Sequence, residues 1–369
     1  MRRTFIALVF AAGLAVGYAC MSAQISPSNE PFKLGTFDSN GNEFLGIVLR
    51  DTQVIDIGQA NAALESSDSS LAKLAAPADM KEIIARYDTE WRERLRLIIG
   101  QVTAAQSAPS YVHALSDLKV HPPVQPSVML MAAGNYQEHT AGIAEQQQRA
   151  AGGGAVATES AEASSAPGLW ERKPGDPRRN PYLFLKSPTI VIGDGDAIVR
   201  PTGRNNLDHE CEFAVVIGKV AKRAPVESAA DYIFGYTNAI DVSDRGGRGD
   251  QGFGGSDWLV GKNHDTFAPL GPFITPKEFM TDPMNVRQVF TLNGDVKQDS
   301  NTSRMTHNIY ELVHFASNIL TLRPGDVISG GSPAGTNIER AEPQWMKPGD
   351  TAVCTIDGIG KLTHPVVAE

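Results

Sequence analysis

Two carboxylates one residue apart, at the mouth of a strand otherwise fit for a core, constrain this chain more than any other feature. They lie in DHECEFAVVIGK, Asp208 to Lys219. Phe213 to Ile217 is apolar and largely β-branched, and Gly218-Lys219 bounds it, which reads as a buried strand. Side chains alternate along a strand, so Glu210 and Glu212 share one face and Cys211 points to the other. Two like charges held side by side away from water are costly unless a cation or a proton lies between them. The alternative is a solvated strand entrance. Downstream, in GYTNAIDVSDRGGRG, Asp241 stands at the end of the apolar run YTNAI, before a polar Gly-rich loop. A third carboxylate at a strand end completes a hard, oxygen-rich site for Mg²⁺, with Mn²⁺ or Ca²⁺ as alternatives.

The 369 residues suffice for one large domain with an appendage, or for two domains. With 33 basic against 42 acidic residues, a nucleic-acid partner is not expected. Residues 1–23 have a basic start, an apolar run from Phe5 to Ala19 and small residues near Cys20. This is the layout of an export signal, and Arg2-Arg3-Thr4-Phe5-Ile6 resembles a twin-arginine signal, so an exported, periplasmic protein is expected, with a membrane anchor as the alternative. Cys211 and Cys354 are far apart and without CxxC spacing, which indicates neither a thiolate zinc site nor a disulfide framework.

Residues 24–125 read as a smaller N-terminal α+β domain. Phe32 to Ile57 alternates short apolar runs with Asn-Gly and Arg-Asp-Thr turns. Within the Ala/Leu-rich stretch that follows, Ile83, Ile84, Tyr87, Trp91, Leu95 and Ile98 recur at helical spacing. Residues 126–369 are dense in short strands with Gly, Pro and Asp turns, and only Tyr310 to Leu322 reads as a clear helix. That pattern predicts a β-roll and a mixed α/β protein dominated by β. Residues 146–180 contain Gly152-Gly153-Gly154 amid Ala and Ser and read as a flexible insertion, either a lid over the site or a plain disordered segment.

Several further segments stand in one order: Asp241-Val-Ser, Gly261-Lys262-x-x-Asp265-Thr-Phe-Ala-Pro-Leu-Gly-Pro, Asn293-Gly294 with Gln298-Asp299, Pro324-Gly325-Asp326, Gly330-Gly331-Ser332-Pro333-Ala334-Gly335 and Lys347-Pro348-Gly349-Asp350. With the Glu210-x-Glu212 pair, they resemble the fumarylacetoacetate hydrolase family from about Met131 to Val367. The resemblance implies a β-roll catalytic domain, usually in a homodimer, with a divalent cation on Glu210, Glu212 and Asp241. It implies His139 as the base that activates water and Lys262 as the cation that neutralises a developing enolate. Tyr136, Arg245, Arg248 and Ser332 are expected to meet the substrate, a small anionic 2-oxo or diketo acid. The reaction so implied is metal-dependent hydrolysis of a C–C bond in a 1,3-diketo acid or acylpyruvate-like compound, with decarboxylase, hydratase or isomerase chemistry on a 2-oxo or 2-hydroxydienoic acid as the alternative. Some members pair the histidine with a glutamate three residues on, where this chain has Gly142. Glu145 is the expected substitute.

Overall fold

Turn chemistry sets up the N-terminal strands. Asn40 and Gly41 take φ of 56° and 87°, the left-handed pair of a type I′ two-residue hairpin. They join Lys33–Ser39 to Asn42–Leu49. A second tight turn at Arg50 and Asp51 leads into Gln53–Asp56. The computed structural model describes residues 26–150, 164–249 and 257–369. The expected leader and residues 151–163 of the expected insertion lie outside them.

The stretch after the hairpins folds as helices Ile57–Ser67, Met80–Ala85 and Arg92–Ala104, with a π turn at Tyr87–Trp91. Asp56 and Asp79 cap the first two by accepting bonds from the Gln59 and Glu82 N–H groups. The six apolar residues singled out by their spacing are all buried.

Among the described residues the main sheet has 12 strands. At its centre Ala268–Pro276, Ile233–Ile240, Cys211–Ile217 and Val327–Ser329 pair antiparallel in that order. Met129–Ala132 then adds in parallel and Leu183–Lys186 antiparallel. The N-terminal strands extend the same sheet, because Lys33–Ser39 pairs with Ala268–Pro276 at Leu34↔Ile274. A five-stranded sheet of Asp295–Asn301, Arg287–Leu292, Thr351–Ile356, Gly360–Ala368 and Ile198–Arg200 packs beside it. Cys211–Ile217, Ile233–Ile240 and Ala268–Pro276 are buried along their whole length. The fold is thus mixed α/β and dominated by strands, as expected.

The cysteines depart from what their spacing indicates. Cys211 and Cys354 are joined in a disulfide although 143 residues separate them. Strands of the two sheets bring their Cα atoms to 5.4 Å, a spacing that a disulfide spans and that no sequence spacing reveals. The helix expected from Tyr310 to Leu322 runs Ile309–Ile319 instead. Asn308 and Glu311 form a reciprocal capping box at its start, and Leu320 is already extended. Within the expected insertion, residues up to Ala150 complete the helix Gln137–Ala150. Beyond residue 163 the chain is anchored: Trp170 is buried edge-on to His307, with ring centroids 5.2 Å apart, and Arg178 pairs with Asp176 and Glu311 at 2.8 and 2.9 Å.

Candidate active site

Strand alternation places Glu212 on the face that Glu210 shares, and chain reversal supplies the third carboxylate. Cys211 pairs with Ile240 and Glu212 with Ala239. Asp241, one residue beyond the strand, donates its N–H to the Glu210 carbonyl at 2.8 Å. One oxygen from each of Glu210, Glu212 and Asp241 lies within 4.8 Å of the others, and all three residues are buried.

Three cations surround two of these carboxylates. Lys262 Nζ lies 2.5 Å from both Glu210 Oε2 and Asp241 Oδ2, and 2.7 Å from Ser243 Oγ. Arg245 Nη2 donates to Glu210 Oε1 at 2.7 Å while its Nε donates to Asp208 at 3.1 Å. Lys186, fully buried, pairs with Asp241 Oδ1 at 2.7 Å and donates to the carbonyls of Val242 and Phe267. Burial pushes the Glu210 carboxyl up, but Lys262 and Arg245 outweigh it and hold the group well below the usual carboxylate range. Glu212 shows the opposite balance. Burial, reinforced by the neighbouring Asp241 and Glu210 charges, drives it well above that range. It accepts hydrogen bonds from Ser329 Oγ and from the Gly331 N–H at 3.2 Å, and no ion pair reaches it among the described residues.

This donor set fits a hard divalent cation. A buried carboxylate that no ion pair reaches among the described residues, facing two others, needs a proton or a metal, and three oxygen ligands without thiolate or imidazole disfavour zinc.

The carboxylates floor a pocket of about 130 Å³ that Lys262, Arg245, His139, Phe184, Trp258 and Ser332 also line. Phe184 and Trp258 stack with centroids 4.5 Å apart, and Lys262 Nζ lies 5.3 and 5.9 Å from those rings. Ser332 Oγ accepts from Gln298 Nε2 at 2.8 Å, and Gln298 Oε1 accepts the Cys211 N–H at 3.0 Å. One amide therefore fixes the Ser332 turn to the carboxylate strand. His139 sits in the first turn of the helix Gln137–Ala150, buried, with Nε2 3.8 Å from Glu210 Oε1.

The structure brings together Glu210, Glu212, Asp241, Lys262, His139, Arg245 and Ser332, and leaves out three residues expected beside them. Tyr136 turns into the core, where its hydroxyl accepts from Gln288 Nε2 at 2.8 Å. Glu145 is exposed and pairs with Arg149 at 3.1 Å. Six residues along a helix carry a side chain well off the face of His139, so Glu145 does not serve as its carboxylate. Arg248 is exposed and reaches Asp257 at 3.0 Å, outside the pocket lining. Two groups were missed by sequence reasoning. Lys186 is a lone charge ending the apolar strand Leu183–Lys186, a visible anomaly. Glu339 Oε1 lies 2.5 Å from His139 Nδ1, and its only local signal was Thr336-x-x-Glu339, the pattern of a helix start.

The sequence model for the C-terminal domain of fumarylacetoacetate (FAA) hydrolase matches residues 135–367. The chain belongs to the fumarylacetoacetate hydrolase family. Among relatives in this family, oxaloacetate tautomerase YisK of Bacillus subtilis is 29% identical over 340 residues, covering 90% of this chain and 99% of that protein. The mitochondrial oxaloacetate tautomerase fahd2 of Xenopus laevis is 40% identical over 189 residues, covering 51% of this chain and 59% of that one. The match thus spans less than two thirds of the frog enzyme. Maleylpyruvate hydrolase from Sphingobium sp. SYK-6 superposes with a TM-score of 0.63 at 25% identity, over 91% of this chain and all of that one. A second structure of that hydrolase is a complex with manganese(II) and pyruvate. Family membership thus spans tautomerases and hydrolases, and the protein is an enzyme of this group. The relatives also correct the expected location. The frog tautomerase is named mitochondrial, and among the described residues no helix is long and apolar enough to cross a membrane. Neither the relatives nor the described residues support the expected export signal, periplasmic location or membrane anchor, and residues 1–25, on which those expectations rest, lie outside the described residues.

Proposed function

We propose that this protein is a divalent-metal-dependent tautomerase that interconverts the keto and enol forms of a short 2-oxo diacid such as oxaloacetate. The observation that carries the reading is the position of one imidazole nitrogen, His139 Nε2, 3.8 Å from a ligand oxygen of the carboxylate triad. The pocket around it, about 130 Å³, is smaller than the ~300–1,000 Å³ of typical ligand sites, which favours a small acid over an extended acylpyruvate. Both oxaloacetate tautomerases above support the same reading, one of them along nearly its full length.

Glu210, Glu212 and Asp241 would hold the cation, Mg²⁺ or Mn²⁺ by the hardness of the donors. When bound it supplies Lewis-acid polarisation of the substrate's neighbouring oxygens. His139 Nε2 removes a proton from the carbon beside the substrate carbonyl. The electron pair moves to the carbonyl oxygen, His139 hands the same proton on to that oxygen to complete the enol, and the reverse direction runs through the same groups. Lys262 Nζ sits at the same end of the pocket and stabilises the charge that develops on oxygen. Arg245 and the Ser332 hydroxyl orient the substrate's carboxylates, and the Phe184–Trp258 pair shields the proton transfer from bulk water. The active form is proposed to be a homodimer, on the family resemblance alone, which light scattering tests.

The deciding experiment follows decay of the enol absorbance of oxaloacetate with Mg²⁺ or Mn²⁺. Ketonisation well above the metal-only rate, lost in His139→Ala, is expected. A protein that leaves the enol decay unchanged but splits acylpyruvates into two acids is a hydrolase, and the tautomerase reading fails.

A further inference from the structure

We propose that the Cys211–Cys354 disulfide is a covalent lock on the metal-ligand strand, so that metal binding and the redox state of this cysteine pair are coupled. Cys211 stands between Glu210 and Glu212 and opens the strand Cys211–Ile217. Its ladder partner is Ile240, the last residue of Ile233–Ile240. Glu210 and Asp241 therefore both lie one residue past the paired strands, where fraying starts. Beyond the ladder, the Asp241 N–H reaches the Glu210 carbonyl at 2.8 Å. A ligand set held at the spacing its cation needs loses less freedom when the cation binds. A covalent tie at position 211 supplies that hold at the end of the sheet that most needs it.

The bond acts from the opposite face. Alternation along the strand turns Cys211 away from the carboxylates and toward Thr351–Ile356, the strand that carries Cys354. That strand is paired on both sides within its own sheet: Cys354 stands opposite Phe290 of Arg287–Leu292 and Leu362 of Gly360–Ala368. The anchor is thus sheet interior and not a loop. The Cys211 N–H is held as well, by Gln298 Oε1 at 3.0 Å, and Gln298 lies on Asp295–Asn301 of that same sheet. Position 211 is fixed twice to the second sheet, by its sulfur and by its amide, and Glu210 and Glu212 flank it. Neither cysteine has exposed surface, so an attacking thiolate reaches a sulfur only when the two sheets part locally. A cation that draws Glu210, Glu212 and Asp241 together opposes that parting. The coupling is reciprocal: the factor by which the disulfide tightens metal binding is the factor by which bound metal favours the disulfide.

The inference rests on Glu210, Glu212 and Asp241 as metal ligands and not on the tautomerase reaction. In the test reaction a dithiol, dithiothreitol, gives up two electrons and two protons, closes into its own cyclic disulfide, and leaves Cys211 and Cys354 as thiols. The natural protein is equilibrated in mixtures of reduced and oxidised dithiothreitol, and thiol alkylation with mass spectrometry reads the fraction of the pair reduced. At saturating Mn²⁺ the ratio of reduced to oxidised reagent at half-reduction is expected to rise ~10-fold, inside the roughly 5–150-fold span of typical coupling between sites. The Mn²⁺ effect is expected to vanish in Glu212→Gln. By the same factor, Mn²⁺ titration is expected to give Cys354→Ala an affinity ~10-fold weaker than that of the oxidised natural protein. Near-UV circular dichroism reports whether each species is folded, and if Cys354→Ala does not fold, the reduced natural protein takes its place in the titration. Equal Mn²⁺ affinity with and without the bond, or a half-reduction ratio indifferent to Mn²⁺, overturns the proposal. Unfolding of the natural protein on reduction overturns it too, because the bond is then a condition of the fold and not a lock on the site. A natural protein that binds no Mn²⁺ refutes the metal site itself, and the lock falls with it.

Discussion

Lys186→Met tests whether the buried ammonium holds Asp241 in place or is tolerated there at a net cost. The lysine is fully buried, its Nζ pairs with Asp241 Oδ1 at 2.7 Å, and it donates to the carbonyls of Val242 and Phe267. Burial pushes its ammonium down despite the Asp241 charge, so methionine, similar in length and apolar, relieves a desolvation penalty. Against that, two buried carbonyls lose a donor at about 1–3 kcal/mol each, and an ion pair is broken from one side only, which typically costs about 3–5 kcal/mol. These losses overlap, and Lys262 remains on Asp241 Oδ2, so the metal-free variant is expected to lose about 3 kcal/mol. Urea unfolding at pH 7 in the presence of chelator measures it. Lys186→Arg is expected to fail as a rescue, since the bulkier planar guanidinium overpacks a site with no exposed surface. If Lys186→Met unfolds within about 1 kcal/mol of the natural protein, relief of desolvation cancels the lost contacts and the lysine is not what holds Asp241.

Glu212→Gln keeps the shape of the side chain but removes the carboxylate without a cation partner, so Mn²⁺ affinity measured by titration is expected to fall at least ~100-fold, with metal-free stability changed by less than about 1 kcal/mol; unchanged affinity would remove Glu212 from the ligand set. Tyr136→Phe deletes only the hydroxyl bonded to Gln288, and is expected to cost about 1 kcal/mol in denaturant unfolding while kcat and KM stay as they were; a large rise in KM would return Tyr136 to the substrate. Burial pushes His364 from its ordinary 6.5 down to about 4. Between those values the unfolded chain binds a proton that the folded one does not, so stability is full above 6.5 and falls as pH drops toward 4, by about 2 kcal/mol at pH 5. His364→Phe is expected to flatten that stretch of the stability profile, and an unaltered slope would show that other groups cause it.

What was legible in the chain by itself is local and periodic. The period of two put Glu210 and Glu212 on one face of a buried strand, and polarity at a strand end marked Asp241. Asn40-Gly41 specified its hairpin because Asn-Gly readily takes the left-handed pair of a type I′ turn, and the spacing of Ile83 to Ile98 specified a buried helical face. Family resemblance supplied His139, Lys262, Arg245 and Ser332, which periodicity could not single out. It also brought Tyr136 and Arg248 along with them, because neighbours in sequence do not inherit direction: Tyr136 precedes His139 by three residues and points into the core. Only the tertiary structure decided the partners. Lys186 meets Asp241 through strand order, Cys354 meets Cys211 through the packing of two sheets, and Glu339 meets His139 across 200 residues. Such contacts depend on closing long loops and on how strands and sheets come together, and neither is written into any short window of the sequence.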